Sequence, residues 1–64
     1  MKFRIENMTC GGCARSVTAT IKDLDENATV NIDVDTKLVE VNTTVAEDKI
    51  VAALTEDGFP PVIA

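Results

Sequence analysis

Sixty-four residues predict one small domain spanning residues 1–64, which buries only about 60% of the surface that its unfolded chain exposes. Eleven acidic against six basic residues give a formal net charge of -5, which disfavours nucleic acid as a partner and favours solubility or a basic partner surface. With no histidine, tryptophan or tyrosine, the commonest general base and the imidazole metal ligand are both missing, and no apolar run approaches the roughly 20 residues of a membrane span.

Phe3 and Ile5 alternate with Lys2, Arg4 and Glu6, the period-two pattern of a half-buried strand running to about Asn7. The run Met8-Thr9-Cys10-Gly11-Gly12-Cys13 follows and holds both cysteines of the chain on one short loop. From Cys13 onward Val17, Ile21 and Leu24 recur at helical spacing, with Arg15, Thr18, Lys22 and Asp23 largely on the other side. This predicts an amphipathic helix that ends at the polar cluster Asp23, Asp25, Glu26 and Asn27. Val30, Ile32 and Val34 then alternate with Asn31, Asp33 and Asp35, the cleanest strand pattern in the chain.

Asp35-Thr36-Lys37 is a short polar break, after which Val39 and Val41 alternate with Leu38, Glu40 and Asn42. The two runs predict an antiparallel hairpin, with Leu38 the odd residue on its polar face. Thr44-Val45-Ala46-Glu47 has the form of a capping box that would start a second helix. Ile50, Ala53 and Leu54 supply its apolar face, and Gly58 is placed as the left-handed residue that ends it. Phe59 to Ile63 is left for a last strand, brief and on a sheet edge because Pro60 and Pro61 cannot donate ladder hydrogen bonds. This order of elements predicts an α+β, ferredoxin-like βαββαβ sandwich, with two helices on one face of a four-stranded antiparallel sheet.

The chemistry concentrates in the cysteine run. Two cysteines three positions apart close too short a loop to staple a fold, so they are read as functional. Thiolates select soft ions such as Cu(I), and two sulfurs without further ligands suit a linear or three-coordinate ion. Cys10 in the loop and Cys13 in or near the first helical turn sit where free amides and the helix dipole favour thiolate. Gly11 and Gly12 are expected to let the backbone turn tightly and to aim its amides at the site. Two readings compete with a soft-metal site. Structural zinc needs about four protein ligands, and this chain offers two. A dithiol–disulfide oxidoreductase also uses a Cys-x-x-Cys pair at a helix start, but here Gly-Gly separates the cysteines and no tryptophan precedes them.

The motif Met8-Thr9-Cys10-Gly11-Gly12-Cys13, followed by an amphipathic helix and by Gly58-Phe59 near the other end, resembles the heavy-metal-associated domain. That domain is shared by copper chaperones and the N-terminal domains of copper-transporting P-type ATPases, and the likeness spans essentially the whole chain. It implies Cu(I) bound by Cys10 and Cys13 near the surface. It also implies transfer to a partner of the same fold, such as the metal-binding domain of a copper-transporting ATPase, through intermediates that share the metal between both proteins' sulfurs. On the same resemblance Met8 packs under the loop, and Thr9 stands where zinc-exporting relatives often place an Asp, which favours Cu(I). Phe59 would lie beside the metal loop and shield the sulfurs. Arg15 and Lys22 are candidate contacts for an acidic patch on the partner.

The expected molecule is therefore a cytoplasmic Cu(I) metallochaperone, a carrier and not an enzyme, without membrane insertion. The N-terminal Met-Lys-Phe-Arg-Ile lacks the apolar stretch of a secretory signal, and cytosolic thiols stay reduced. A metal-bridged homodimer is a further expectation, because a second chain can supply additional sulfurs. A carrier of mercury is the alternative within the same motif.

Overall fold

The computed structural model describes residues 1–64 and contains β1 (Lys2–Arg4), α1 (Gly11–Leu24), β2 (Thr29–Asp33), β3 (Leu38–Asn42), α2 (Glu47–Glu56) and β4 (Val62–Ile63). The strands form one sheet in the order β2-β3-β1-β4, with every neighbouring pair antiparallel. Two helices on a four-stranded antiparallel sheet is the ferredoxin-like arrangement that the order of hydrophobic patterns predicts.

Register follows from which residues must be buried. Val39 lies between Phe3 on β1 and Ile32 on β2, and Val41 pairs with Val30. These apolar rows line one side of the sheet, because successive strand residues point to opposite faces. Val17 and Ile21 of α1 and Ile50 and Leu54 of α2 close over them, each pair spaced by four residues so as to share a helix face. Together with Phe3, Ile5, Met8, Ala28, Val39 and Val41 they make a buried core of ten residues, all apolar. The outer face carries Lys2, Arg4, Leu38 and Glu40, with Leu38 half-buried opposite Arg4.

Several boundaries differ from the sequence expectation. β1 stops at Arg4: Ile5 still donates its amide to the Lys37 carbonyl, and Met8 then donates to Ile5, turning the chain out of the sheet before Asn7. Val34 falls in the hairpin turn, where the Asp33 carboxylate accepts from the amides of Asp35 and Thr36 and Lys37 takes a positive φ of 63°. Leu24, assigned to the apolar stripe, is 42% exposed in the last residue of α1. The capping box at Thr44 does not form. Instead α2 begins at Glu47 with Ala46 as its N-cap and no side-chain cap, so Glu47 and Asp48 oppose the positive end of the helix dipole directly. The preceding threonine takes the polar role: the Thr43 hydroxyl accepts from the Val45 amide and donates to Asp25 at 2.6 Å.

The end of α2 is as expected. Gly58 has φ +90°, its amide bonds to the Thr55 carbonyl, and the Phe59 amide bonds to Leu54, the paired bonds of a Schellman motif. β4 is confined to Val62–Ile63 on the outer side of β1. The turn after β1, the β2–β3 turn and the end of α2 thus meet at one end of the sandwich, joined by the Ile5–Lys37 bond and by Asn7, whose side-chain amide donates to the Gly58 carbonyl at 3.0 Å.

Candidate metal centre

Cys10 is the N-cap of α1. Its backbone is extended, with φ -152° and ψ 167°, its carbonyl accepts from the Ala14 amide, and its sulfur accepts from the Cys13 amide at 3.4 Å. An N-cap side chain bonded to the third helical residue is the usual way to satisfy a free amide at a helix start. Here the acceptor is sulfur rather than the oxygen of Ser or Asp. Helical spacing then brings Cys13 back beside Cys10, with the two sulfurs 3.0 Å apart and both thiols free. A covalent sulfur–sulfur bond would measure about 2.05 Å.

The environments of the sulfurs differ. Cys10 is exposed, whereas Cys13 is half-buried and rests against the core. The Cys13 thiol is held below its ordinary pKa first by the hydrogen bond from the Cys10 side chain. Backbone and side-chain hydrogen bonds at Thr9 and the Cys10 backbone act in the same sense, against a smaller opposing cost of burial. These are the conditions that raise thiolate population at a helix N-terminus.

Gly11 and Gly12 belong to the first turn of α1 rather than to a loop, and neither has positive φ. Their backbone does not require glycine. What glycine leaves is open approach: a β-carbon at Gly11 would meet nothing within 4 Å, and one at Gly12 would lie 3.8 Å from the Cys10 sulfur. Thr9 is exposed beside them. Met8 is fully buried, its thioether in the core. Phe59 is half-buried against the same core, on the segment that Asn7 ties to the cysteine loop. Arg15 and Lys22 are exposed and outside the two ion pairs, which join Arg4 and Lys37 to Glu6. Lys22 lies in the last turn of α1, nine residues from Cys13 and so about 13 Å further along the axis. Arg15 is two residues from Cys13, in the first half of the same helix.

The sequence pattern marks Asn7 only as the end of a strand. Its partner is 51 residues away, and nothing local distinguishes it from any polar turn residue. The same holds for Thr20, which donates to the Asp57 carboxylate and ties α1 to the end of α2.

No group of three or more His, Cys, Asp or Glu side chains could hold an ion, so the protein's soft donors at this end are the two sulfurs. Two collinear metal–sulfur bonds of about 2.3 Å need about 4.6 Å between sulfurs. A pair holding such an ion would part by roughly 1.6 Å, through the exposed Cys10 side chain and the loop that carries it. Four-coordination cannot be completed from this chain. The surface concavities, with volumes of about 300, 450 and 500 Å³, are lined by other residues, so the thiols stand on an open end and not in a cleft. No helix is long and apolar enough to cross a membrane.

A sequence model of the heavy-metal-associated domain matches residues 2–60. No curated protein matches the sequence significantly. Among solved structures, a gold-binding protein is 54% identical, with a TM-score of 0.93 over 95% of this chain and 94% of that one. Atu1203 from Agrobacterium tumefaciens is 28% identical, with a TM-score of 0.84 over 94% of each chain. The copper chaperone Atx1 from Synechocystis PCC6803 superposes with a TM-score of 0.93 over 97% of this chain and 98% of that one, at 24% identity, a likeness of fold.

Proposed function

The chain belongs to the heavy-metal-associated domain family, and we propose that it carries Cu(I), held between the sulfurs of Cys10 and Cys13 and handed to a metal-binding domain of a copper-transporting ATPase. The observation that carries this reading is the pair of free thiols, exposed Cys10 and half-buried Cys13, 3.0 Å apart at the N-cap and third residue of α1, with no third His, Cys, Asp or Glu grouped with them. Soft thiolates favour a soft monovalent ion, and Thr9 offers no carboxylate to a harder one.

Capture and release coexist in such a site. A two-coordinate ion on an open surface leaves room for an incoming thiolate to add before either original sulfur departs, so transfer passes through a three-coordinate state and never through a bare ion. Free approach over Gly11 and Gly12 serves that step, and Arg15 is placed to meet an acidic patch on the recipient. A second copy of the chain adds sulfurs in the same way, giving a metal-bridged dimer when no recipient is present. The reading is that of a carrier, with no covalent chemistry on a substrate, working in the cytoplasm where its thiols stay reduced.

A second reading is favoured by the gold-binding protein, which shares 54% of its residues with this chain: the same two sulfurs suit linear Au(I). The tests are direct. One ion should bind per chain, and Cys10→Ser and Cys13→Ser should each sharply weaken retention against a chelator. Unchanged retention in both variants would overturn the site. Competition of Cu(I) and Au(I) for one protein sample, with X-ray absorption to count sulfurs, decides between the ions.

A further inference from the structure

Between Ile5 and the helix start at Gly11, the cysteine loop has few attachments. Met8 is anchored in the core, and its amide bonds to Ile5. Beyond these the loop's tie to the rest of the fold is the side-chain amide of Asn7, which donates to the Gly58 carbonyl at 3.0 Å. Gly58 is itself fixed. It is the left-handed residue of the Schellman motif, and its neighbour Asp57 accepts the Thr20 hydroxyl. The acceptor therefore stands on a rigid helix end, while the donor stands three residues before Cys10, on the segment that carries the exposed sulfur.

We infer that Asn7 is a positioning residue that latches the cysteine loop to the end of α2, so that breaking its bond to Gly58 precedes opening of the thiol pair and sets the rate at which cargo is exchanged. The inference rests on the carrier reading only for its second clause. The latch itself is a property of the metal-free fold. An exposed amide–carbonyl bond shifts an opening equilibrium by a few-fold to about tenfold, with about fivefold as the central expectation. Because Asn7 is exposed and lies outside the core, its replacement changes loop opening without unfolding the domain.

The experiment compares wild type with Asn7→Ala, and with Asn7→Asp, which keeps the shape but faces the carbonyl with an acceptor. In the reduced, metal-free protein, amide hydrogen exchange is expected to quicken about fivefold at Ala14, whose amide bonds to the Cys10 carbonyl, and to stay unchanged at Phe59, whose amide bonds to Leu54 on the fixed helix end. Core amides such as Val41 should keep their rates. Unchanged exchange at Ala14 in both variants, or acceleration spread evenly through the core, would overturn the latch. With Cu(I) loaded, release to a dithiol chelator should quicken by the same factor. Faster loop exchange without faster release would overturn the control of cargo exchange. A wild-type protein that retains no soft ion would sink the carrier reading instead, and amide exchange would still decide the latch.

Discussion

Replacing Gly11 and Gly12 with alanine should stabilise this protein. Both residues are in the first turn of α1 with negative φ, so alanine fits their backbone and reduces only the freedom of the unfolded chain. A β-carbon at Gly11 meets nothing within 4 Å, and one at Gly12 makes ordinary contact, 3.8 Å, with the Cys10 sulfur. Glycine in a helix costs roughly 0.5–1 kcal/mol relative to alanine. Taking the lower figure near a helix end, the double variant gains about 1 kcal/mol. Unfolding entropy of about 2.1 cal/mol/K per residue over 64 residues comes to about 0.13 kcal/mol/K. The midpoint should therefore rise by about 7 °C in the double variant and by about half that in each single one. Circular dichroism melts of the reduced, metal-free variants read this directly. A lower Tm in either single variant would refute the helical assignment, because it would mean a conformation that only glycine tolerates. Ion transfer supplies a second readout: a methyl at Gly12 stands in contact with the Cys10 sulfur and should slow transfer more than one at Gly11.

Met8→Ala should cost about 2–5 kcal/mol in a domain whose whole stability at this length is about 3–10 kcal/mol, so urea titration should find its midpoint lowered by a large fraction. Met8→Leu should cost under about 1.5 kcal/mol and keep full ion retention; loss of the ion would show that the thioether reaches the metal. Gly58→Ala places an L-residue at φ +90° and should destabilise by about 1–2 kcal/mol, read as a fall in the urea midpoint. Asp25 has its carboxyl pKa depressed below its ordinary value, first by the Thr43 hydroxyl and then by the Asn27 and Thr44 amides. A depressed folded-state pKa contributes stability that is present above the ordinary carboxylate value and is lost as pH falls through the folded one. The stability difference between wild type and Asp25→Asn should therefore shrink from about pH 5 downward, and a difference that stays constant with pH would refute the assignment.

The fold was legible because burial in a small sandwich writes itself into spacing. Phe3 and Ile5, Val39 and Val41, Val17 and Ile21, and Ile50 and Leu54 are all buried, and each pair carries the period of its element. Cys10 and Cys13 were legible as a pair for the same local reason. What sequence obscured were choices between near-equal local options. Thr43 and Thr44 both precede α2, and only tertiary contact with Asp25 decides that Thr43 takes the polar role. Leu24 keeps the helical period, but the last turn of α1 leaves it exposed, so periodicity overstates the buried stripe. Gly-Gly reads as a turn in isolation, yet a cysteine N-cap starts the helix ahead of it. The bond from Asn7 to Gly58 joins segments 51 residues apart and leaves no local trace.

Placing the thiols at a helix start also separates the flexibility of the site from the stability of the fold. Sulfur at 3.4 Å from the Cys13 amide is a longer and weaker cap than a hydroxyl or carboxylate oxygen, so turning Cys10 toward an ion forfeits little helix stability. In the proposed carrier, Cys13, which rests on the core, would be the fixed sulfur and exposed Cys10 the mobile one. The asymmetry carries an expectation for transfer: the recipient's thiolate displaces Cys10 first and Cys13 last. Trapping the metal-bridged complex with a recipient domain should therefore succeed with Cys10→Ser, which preserves the last-held sulfur, and fail with Cys13→Ser. Equal trapping by both variants would show that the two sulfurs are interchangeable.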